Sequence, residues 1–241
     1  MKIAKHTPAK LITILFSLGL IAFCAAPSLQ GQTRTVRRKR YVSTTGSLLT
    51  PASLHATAPA VYDVKFHTTK GDFTMQVTRA WAPIGADRFY NLVEHHFYDG
   101  ASLFRVVPGF VVQFGLSADP RVSAAWSHAN LKDDPVKESN ALGYVTFAMA
   151  GPNTRTTQVF ISLQNNARLD SMGFAPFGKV IEGMDVVEKF YGGYGDNGPD
   201  QGLLTKEGKA YVEKNFPKLD TILTARLVPV AHPAPHPPAH H

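Results

Sequence analysis

Ser102-Leu103-Phe104-Arg105-Val106-Val107-Pro108-Gly109-Phe110-Val111-Val112-Gln113-Phe114-Gly115 sets one arginine among apolar and aromatic residues and turns at Pro108-Gly109. It then resumes as an apolar run carrying a single glutamine. The pattern predicts two strands, 102–107 and 110–115, folded about a Pro-Gly corner. A guanidinium stays protonated and is costly to bury without acceptors, so Arg105 needs a partner from the chain or from a ligand.

On the N-terminal side, Tyr62, Val64 and Phe66 alternate with more polar residues, Lys70-Gly71 makes a turn, and Phe73, Met75 and Val77 alternate again, which predicts a hairpin. The period then changes. Over 83–96, Ile84, Phe89, Leu92 and Val93 share one helical face, and Pro83 suits a first turn. On the C-terminal side, 116–140 reads as a polar surface loop, 143–150 and 158–163 as apolar strands, and 177–180 as a short strand. A helix is predicted over 184–190, helical character over 205–214, and a closing strand over 219–228. Many short strands with few helices indicate a mainly β, antiparallel barrel or sandwich, and local pattern does not choose between them.

The chain has 241 residues and 44% apolar content, enough for one domain with appendages. Lys2, Lys5 and Lys10 precede an apolar run from Leu11 to Ala26, followed by small and polar residues. That order is the mark of a secretory signal peptide, and the run is shorter than the roughly 20 residues that span a bilayer. We therefore assign 1–31 to a signal peptide, with cleavage after Ala26 or near Gly31, and expect an exported, periplasmic or secreted protein without a transmembrane anchor in its mature form. Phe23, bulky before Cys24, argues against lipid attachment. Cys24 is the only cysteine, so the processed chain makes no disulfide and performs no thiol chemistry.

The net charge of +7 comes from the ends of the chain. Three of the 25 basic residues lie in the signal and five between Arg34 and Arg40, leaving 17 basic against 18 acidic residues from Val61 onward. A nucleic-acid partner is not expected. Residues 32–60 form a basic, Ser/Thr/Ala-rich linker whose last ten residues can lie against the domain. Residues 61–228 form the folded domain. The tail, 229–241, holds five prolines and four histidines and cannot pack.

Phe104 to Gln113, followed by Phe147-Ala148-Met149-Ala150-Gly151-Pro152-Asn153-Thr154, Gln158-Val159-Phe160-Ile161, Leu169-Asp170 and Phe177 to Val187, closely resembles the cyclophilin family of peptidyl-prolyl isomerases. Several motifs in the right order make the resemblance specific. It implies a closed eight-stranded antiparallel β-barrel capped by two helices, here with an extra C-terminal helical and loop insertion, and an active site on the outer surface. It also implies isomerisation of Xaa-Pro bonds in proline-containing polypeptides, with no cofactor and no metal. In the family pattern Arg105 matches the catalytic arginine and Gln113 the glutamine that orients it. Phe110, Val111, Ala148, Met149, Gln158, Phe160 and Leu169 match substrate-binding positions.

Val111 stands where methionine is usual, Met149 where asparagine is common, and Val159 where an aromatic is expected. Arg168 replaces a tryptophan that many members use to bind cyclosporin, so weak sensitivity to that drug is expected. Spacing around Met172-Gly173-Phe174 differs by about one residue, and Phe174 takes the place of a missing histidine in the pocket. Segments 117–140 and 191–218 exceed a minimal domain and read as packed surface elaboration, with shaping substrate access or binding a partner as the alternatives. Asp133 and Asp134 are not expected to be catalytic. We expect a monomeric isomerase assisting the folding of exported proteins. The rival is a proline-peptide-binding chaperone module with little turnover, and a hydrolase is a distant third because no nucleophile motif is present.

Overall fold

The computed structural model describes residues 44–229; the expected signal peptide 1–31, the whole charge run 34–40 and residues 230–241 of the His/Pro tail lie outside them. The elements run α1 (Thr44–Leu48), β1 (Val61–Thr68), β2 (Gly71–Thr78), α2 (Pro83–Glu94), β3 (Arg105–Val107), β4 (Val111–Phe114), α3 (Pro120–Trp126), β5 (Tyr144–Phe147), β6 (Val159–Ser162), β7 (Pro176–Glu182), α4 (Met184–Val187), α5 (Gln201–Glu207), α6 (Lys209–Asn215) and β8 (Ile222–Leu227).

All strand pairs are antiparallel, in the order β3-β4-β6-β5-β7-β2-β1-β8. The expected closed barrel is not what forms. The sheet curls into an open half-barrel, and no ladder joins its end strands β3 and β8. An isolated bridge between Ser102 and Thr221, with hydrogen bonds from Gly100 N to Ile222 O, Leu103 N to Asp220 O and Ile222 N to Ala101 O, spans the gap just before β3. The three-residue length of β3 limits how far a ladder can run along that edge.

Alternation along the strands sends Val64, Phe66, Met75, Val77, Val112, Phe114, Val145 and Ile161 into one core. Phe66 stacks on Phe73 with centroids 4.6 Å apart and meets Phe114 edge-on at 5.9 Å. The α2 helix covers this core with Phe89, Leu92 and Val93, all buried. Burying each such side chain contributes roughly 1.5–3 kcal/mol.

The polar segment 116–140 is not a simple loop. Asp119 caps α3 by accepting from Arg121 N at 2.9 Å, Pro120 occupies its first turn, and Trp126 is fully buried at its end. The Trp126 indole N–H donates to Leu48 O at 2.8 Å, and Asn91 exchanges hydrogen bonds with the Ala56 backbone. The described part of the linker is therefore a strap held along α2 and α3, reaching back to Leu48, further than its last ten residues. The helical stretch expected over 205–214 is two helices, broken at Gly208, whose φ of +63° suits glycine.

Helix α2 has no local side-chain cap. Asp134 takes that place from a distance, accepting from Ile84 N at 3.0 Å and Gly85 N at 2.9 Å. Arg155, itself buried, pairs with Asp134 at 3.1 Å and also donates to the Lys132 carbonyl. The acidic pair 133–134 is thus structural. Arg155→Ala would strand a buried carboxylate, and urea unfolding should show a loss of about 3–5 kcal/mol.

Candidate functional site

One row of cross-strand partners builds the site. Arg105 on β3 faces Gln113 on β4, Gln113 faces Phe160 on β6, and Phe160 faces Thr146 on β5. A strand's side chains alternate between faces, so Val111 and Gln113 point outward while Val112 and Phe114 fill the core. The β3–β4 connection turns at Pro108-Gly109, with Gly109 at a φ of +68°. That tight corner sets Arg105 and Gln113 in register.

The outer face carries its own apolar cluster of Val111, Phe160 and Leu169, with Phe110, Ala148 and Phe174 packed against it. Phe160 and Phe174 meet edge-on at 5.7 Å. These residues, together with Arg105, Gln113 and Met149, line a cavity of about 180 Å³. Nine of the ten residues nominated from the sequence thus meet in one hollow. The tenth, Gln158, lines a neighbouring cleft of about 250 Å³ that shares Gln113, Ala148 and Met149 and adds Thr154, Thr156 and Gln201.

Hydrogen bonding orders the polar rim. Arg105 Nη1 donates to Gln113 Oε1 at 3.3 Å, and Gln113 Nε2 donates to Gln158 Oε1 at 2.9 Å. A guanidinium has no acceptor, so the Gln113 amide can face it only with its oxygen, and its nitrogen must look to Gln158. The Arg105 Nε also donates to Asp196 Oδ1 at 2.7 Å. The guanidinium carbon of Arg105 lies 5.5 Å from the Phe110 ring centroid and that of Arg168 4.9 Å, so two cations rest on one aromatic wall.

Asp170 shapes the opposite wall. Burial pushes its carboxyl up, but hydrogen bonds from Ser139 Oγ at 2.6 Å and from Asn140 N and Nδ2 at 2.9 and 2.7 Å outweigh it and hold the group below its usual range. Asn140 Nδ2 also donates to Phe174 O at 2.8 Å, and Asn140 Oδ1 accepts from Thr146 Oγ1 at 2.7 Å. The wall that presents Leu169 and Phe174 is therefore tied to the sheet.

Sequence reasoning missed Asp196 and Gln201, which come from the 191–218 segment, and the two threonines of the cleft. Nothing local distinguishes an acidic residue in a Gly-rich stretch as a neighbour of Arg105; only the tertiary fold brings it there.

Residues 63–205 match the family model described as cyclophilin type peptidyl-prolyl cis-trans isomerase/CLD. A peptidyl-prolyl cis-trans isomerase of Acinetobacter baylyi is 35% identical over 160 residues, covering 63% of this chain and 81% of that protein. Peptidyl-prolyl cis-trans isomerase A of Dickeya dadantii is 32% identical over 178 residues, covering 66% and 90%. The crystal structure of a cyclophilin type isomerase from Cryptosporidium parvum superposes with a TM-score of 0.53 at 19% identity, covering 72% of this chain and 99% of that one. A second crystal structure of that Cryptosporidium parvum protein, determined in the presence of the dipeptide Ala-Pro, gives 0.52.

Asp170→Asn should lower stability by about 1–3 kcal/mol at pH 7 by removing charge-assisted acceptors. Because the folded carboxyl is held low, its contribution is complete above the ordinary aspartate value of about 3.9 and fades as pH falls through the lower folded value. Urea unfolding of the two proteins should differ at pH 5–8 and converge in stronger acid.

Proposed function

This chain belongs to the cyclophilin-type peptidyl-prolyl cis-trans isomerase family, and on that premise we propose how its own residues turn over an Xaa-Pro bond and where that activity serves. The activity is peptidyl-prolyl cis-trans isomerisation. Rotation about the bond must overcome roughly 18–20 kcal/mol because it breaks amide resonance. No covalent bond is made or broken. In the twisted state the prolyl nitrogen becomes pyramidal and regains a lone pair, an acceptor that the planar ground state lacks.

Arg105 donates to that lone pair, and Gln113 orients Arg105 and holds the peptide. The proline ring occupies the hollow walled by Phe110, Val111, Phe160, Leu169 and Phe174, while the rim of Ala148, Met149 and Gln158 meets the chain before it. The observation carrying this reading is the single row Arg105–Gln113–Phe160, which sets a cation beside an apolar hollow. A donor matched to charge that exists only in the twisted state lowers the barrier selectively. A charge-assisted hydrogen bond contributes on the order of 1.5–3 kcal/mol, so the remainder comes from holding the ring and the preceding carbonyl in place.

The signal-like 1–31 supports export, and the isomerase then assists proline-limited folding of periplasmic or secreted chains. The mature protein is a monomer without a membrane anchor; among the described residues no helix is long and apolar enough to cross a membrane. Arg168 in place of tryptophan supports weak cyclosporin binding.

The test is the exchange rate of a short Xaa-Pro peptide measured by NMR with wild type and Arg105→Ala, both checked for folding by circular dichroism. Loss of the donor should lower kcat/KM about 10- to 150-fold. A folded Arg105→Ala protein with wild-type exchange would remove Arg105 from the mechanism.

A further inference from the structure

Arg105 is held from two sides, and only one of them belongs to the hairpin. Gln113 is its cross-strand partner, whereas Asp196 comes from the 191–218 segment. That segment is seated directly on the strand carrying Arg105. Phe104, next to it in sequence, is buried with Leu116, Leu204 and Val212 against α5 and α6. Gly192 and Gly198 flank Asp196 and allow close approach. A Cβ at Gly198 would lie 2.7 Å from the Phe104 carbonyl oxygen, and one at Gly192 would lie 2.7 Å from the Pro108 ring. The carboxylate's place beside Arg105 is thus built by packing on both sides of it.

The pair is no store of stability. Asp196 is 67% exposed at its side chain and Arg105 28%, and ion pairs in such settings contribute little to folding. What the pair fixes is direction. Nε donates to Asp196 at 2.7 Å and Nη1 to Gln113 at 3.3 Å. Two anchors on different nitrogens of a rigid plane set its orientation, and among the described residues Nη2 has no hydrogen-bond partner.

We propose that Asp196 is a positioning residue for the isomerase reaction: by holding Arg105 Nε it keeps the guanidinium aimed at the hollow between Phe110 and Phe160 before the peptide arrives. The 191–218 segment is then part of the working site, since it also contributes Gln201 to the adjoining cleft. The inference rests on Arg105 being the donor to the prolyl nitrogen. A guanidinium cannot pass its proton to a carboxylate at neutral pH, so Asp196 orients the donor without discharging it. Donors aimed in advance spare reorganisation during rotation, so the effect belongs in kcat more than in KM.

The experiment uses the full chain as wild type, Asp196→Asn, Asp196→Glu and Arg105→Ala. Exchange of an Xaa-Pro peptide is followed by NMR with kcat and KM separated, at about 0.05 and 0.5 M salt, and the Arg105 Nε–H resonance is recorded in each protein. Asp196→Asn should lose about tenfold in kcat with KM changed less than about twofold, and its Nε–H resonance should move. Asp196→Glu should recover most of the rate. High salt should slow wild type more than Asp196→Asn, while thermal unfolding stays alike, a pattern that a merely structural role would not produce. Wild-type kcat with an unmoved Nε–H in Asp196→Asn overturns the proposal, and so does a raised kcat, which would mark a carboxylate that competes with substrate. If Arg105→Ala is inactive while Asp196→Asn is fully active, only this inference fails. If Arg105→Ala is fully active, the assignment of Arg105 fails and takes this one with it.

Discussion

A single residue of register separates Val112 from Gln113, and the molecule is organised about that step. Val112 lies in the common core with no exposure, while Gln113 faces outward and touches both Arg105 and Gln158. Because side chains alternate strictly along a strand, core and site cannot vary independently on β4: shifting the pairing by one residue would send the glutamine into the apolar core and the valine to the rim. Packing of Val112, Phe114 and Ile161 against Phe66 and its neighbours therefore holds the site in register as well as the fold. The apolar hollow and its cation are the reverse face of the same sheet.

Much of this was legible in the chain. The strand pair about Pro108-Gly109, the hairpin 61–78 and α2 all follow from periodicity and turn chemistry, which act over a few residues. The nominated site residues meet because Arg105, Val111, Gln113 and Phe160 sit at outward positions of neighbouring strands, Phe110, Ala148, Met149 and Gln158 lie at the ends of those strands, and Leu169 and Phe174 come from the turn at 167–172 and the residues just after it. What stayed hidden depends on distance. Helix α3 was obscured because only Val122, Ser123 and Trp126 of its face are buried, too few to stand out in a polar stretch, although Asp119-Pro120 is a local start signal. The break at Gly208 was read through because glycine is tolerated within a helical pattern. Asp196 carries no local mark, and its contact with Arg105 arises from packing 91 residues apart. Curling without a continuous closing ladder is likewise a property of how β3 and β8 end, which pattern along the chain does not encode.

Charge is used differently on the two sides of the molecule. Arg155 and Asp134 are buried together as an ion pair that serves a helix terminus. Arg88, half-buried, loses part of its basicity, its pKa lowered to about 10 by desolvation, while it donates to Ala129 O and Thr156 O and lies over the Trp126 ring. Arg105 instead keeps solvent contact beside apolar walls. It presents directed donors at the edge of solvent, which suits a group that must answer a transient acceptor.

The pairing of β1 with β8 joins the first strand of the sheet to the last, and Val64 sits opposite Leu227. This makes contact order high and assembly slow to finish, because loop closure over nearly the whole domain must precede that ladder. While the chain emerges N-terminus first, β1 can pair with β2 but must wait with its other edge bare, and a bare edge invites pairing with foreign strands. An isomerase built this way is itself a client-like chain until its final strand arrives, exposed during synthesis to the kind of misassembly that slow-folding proteins face.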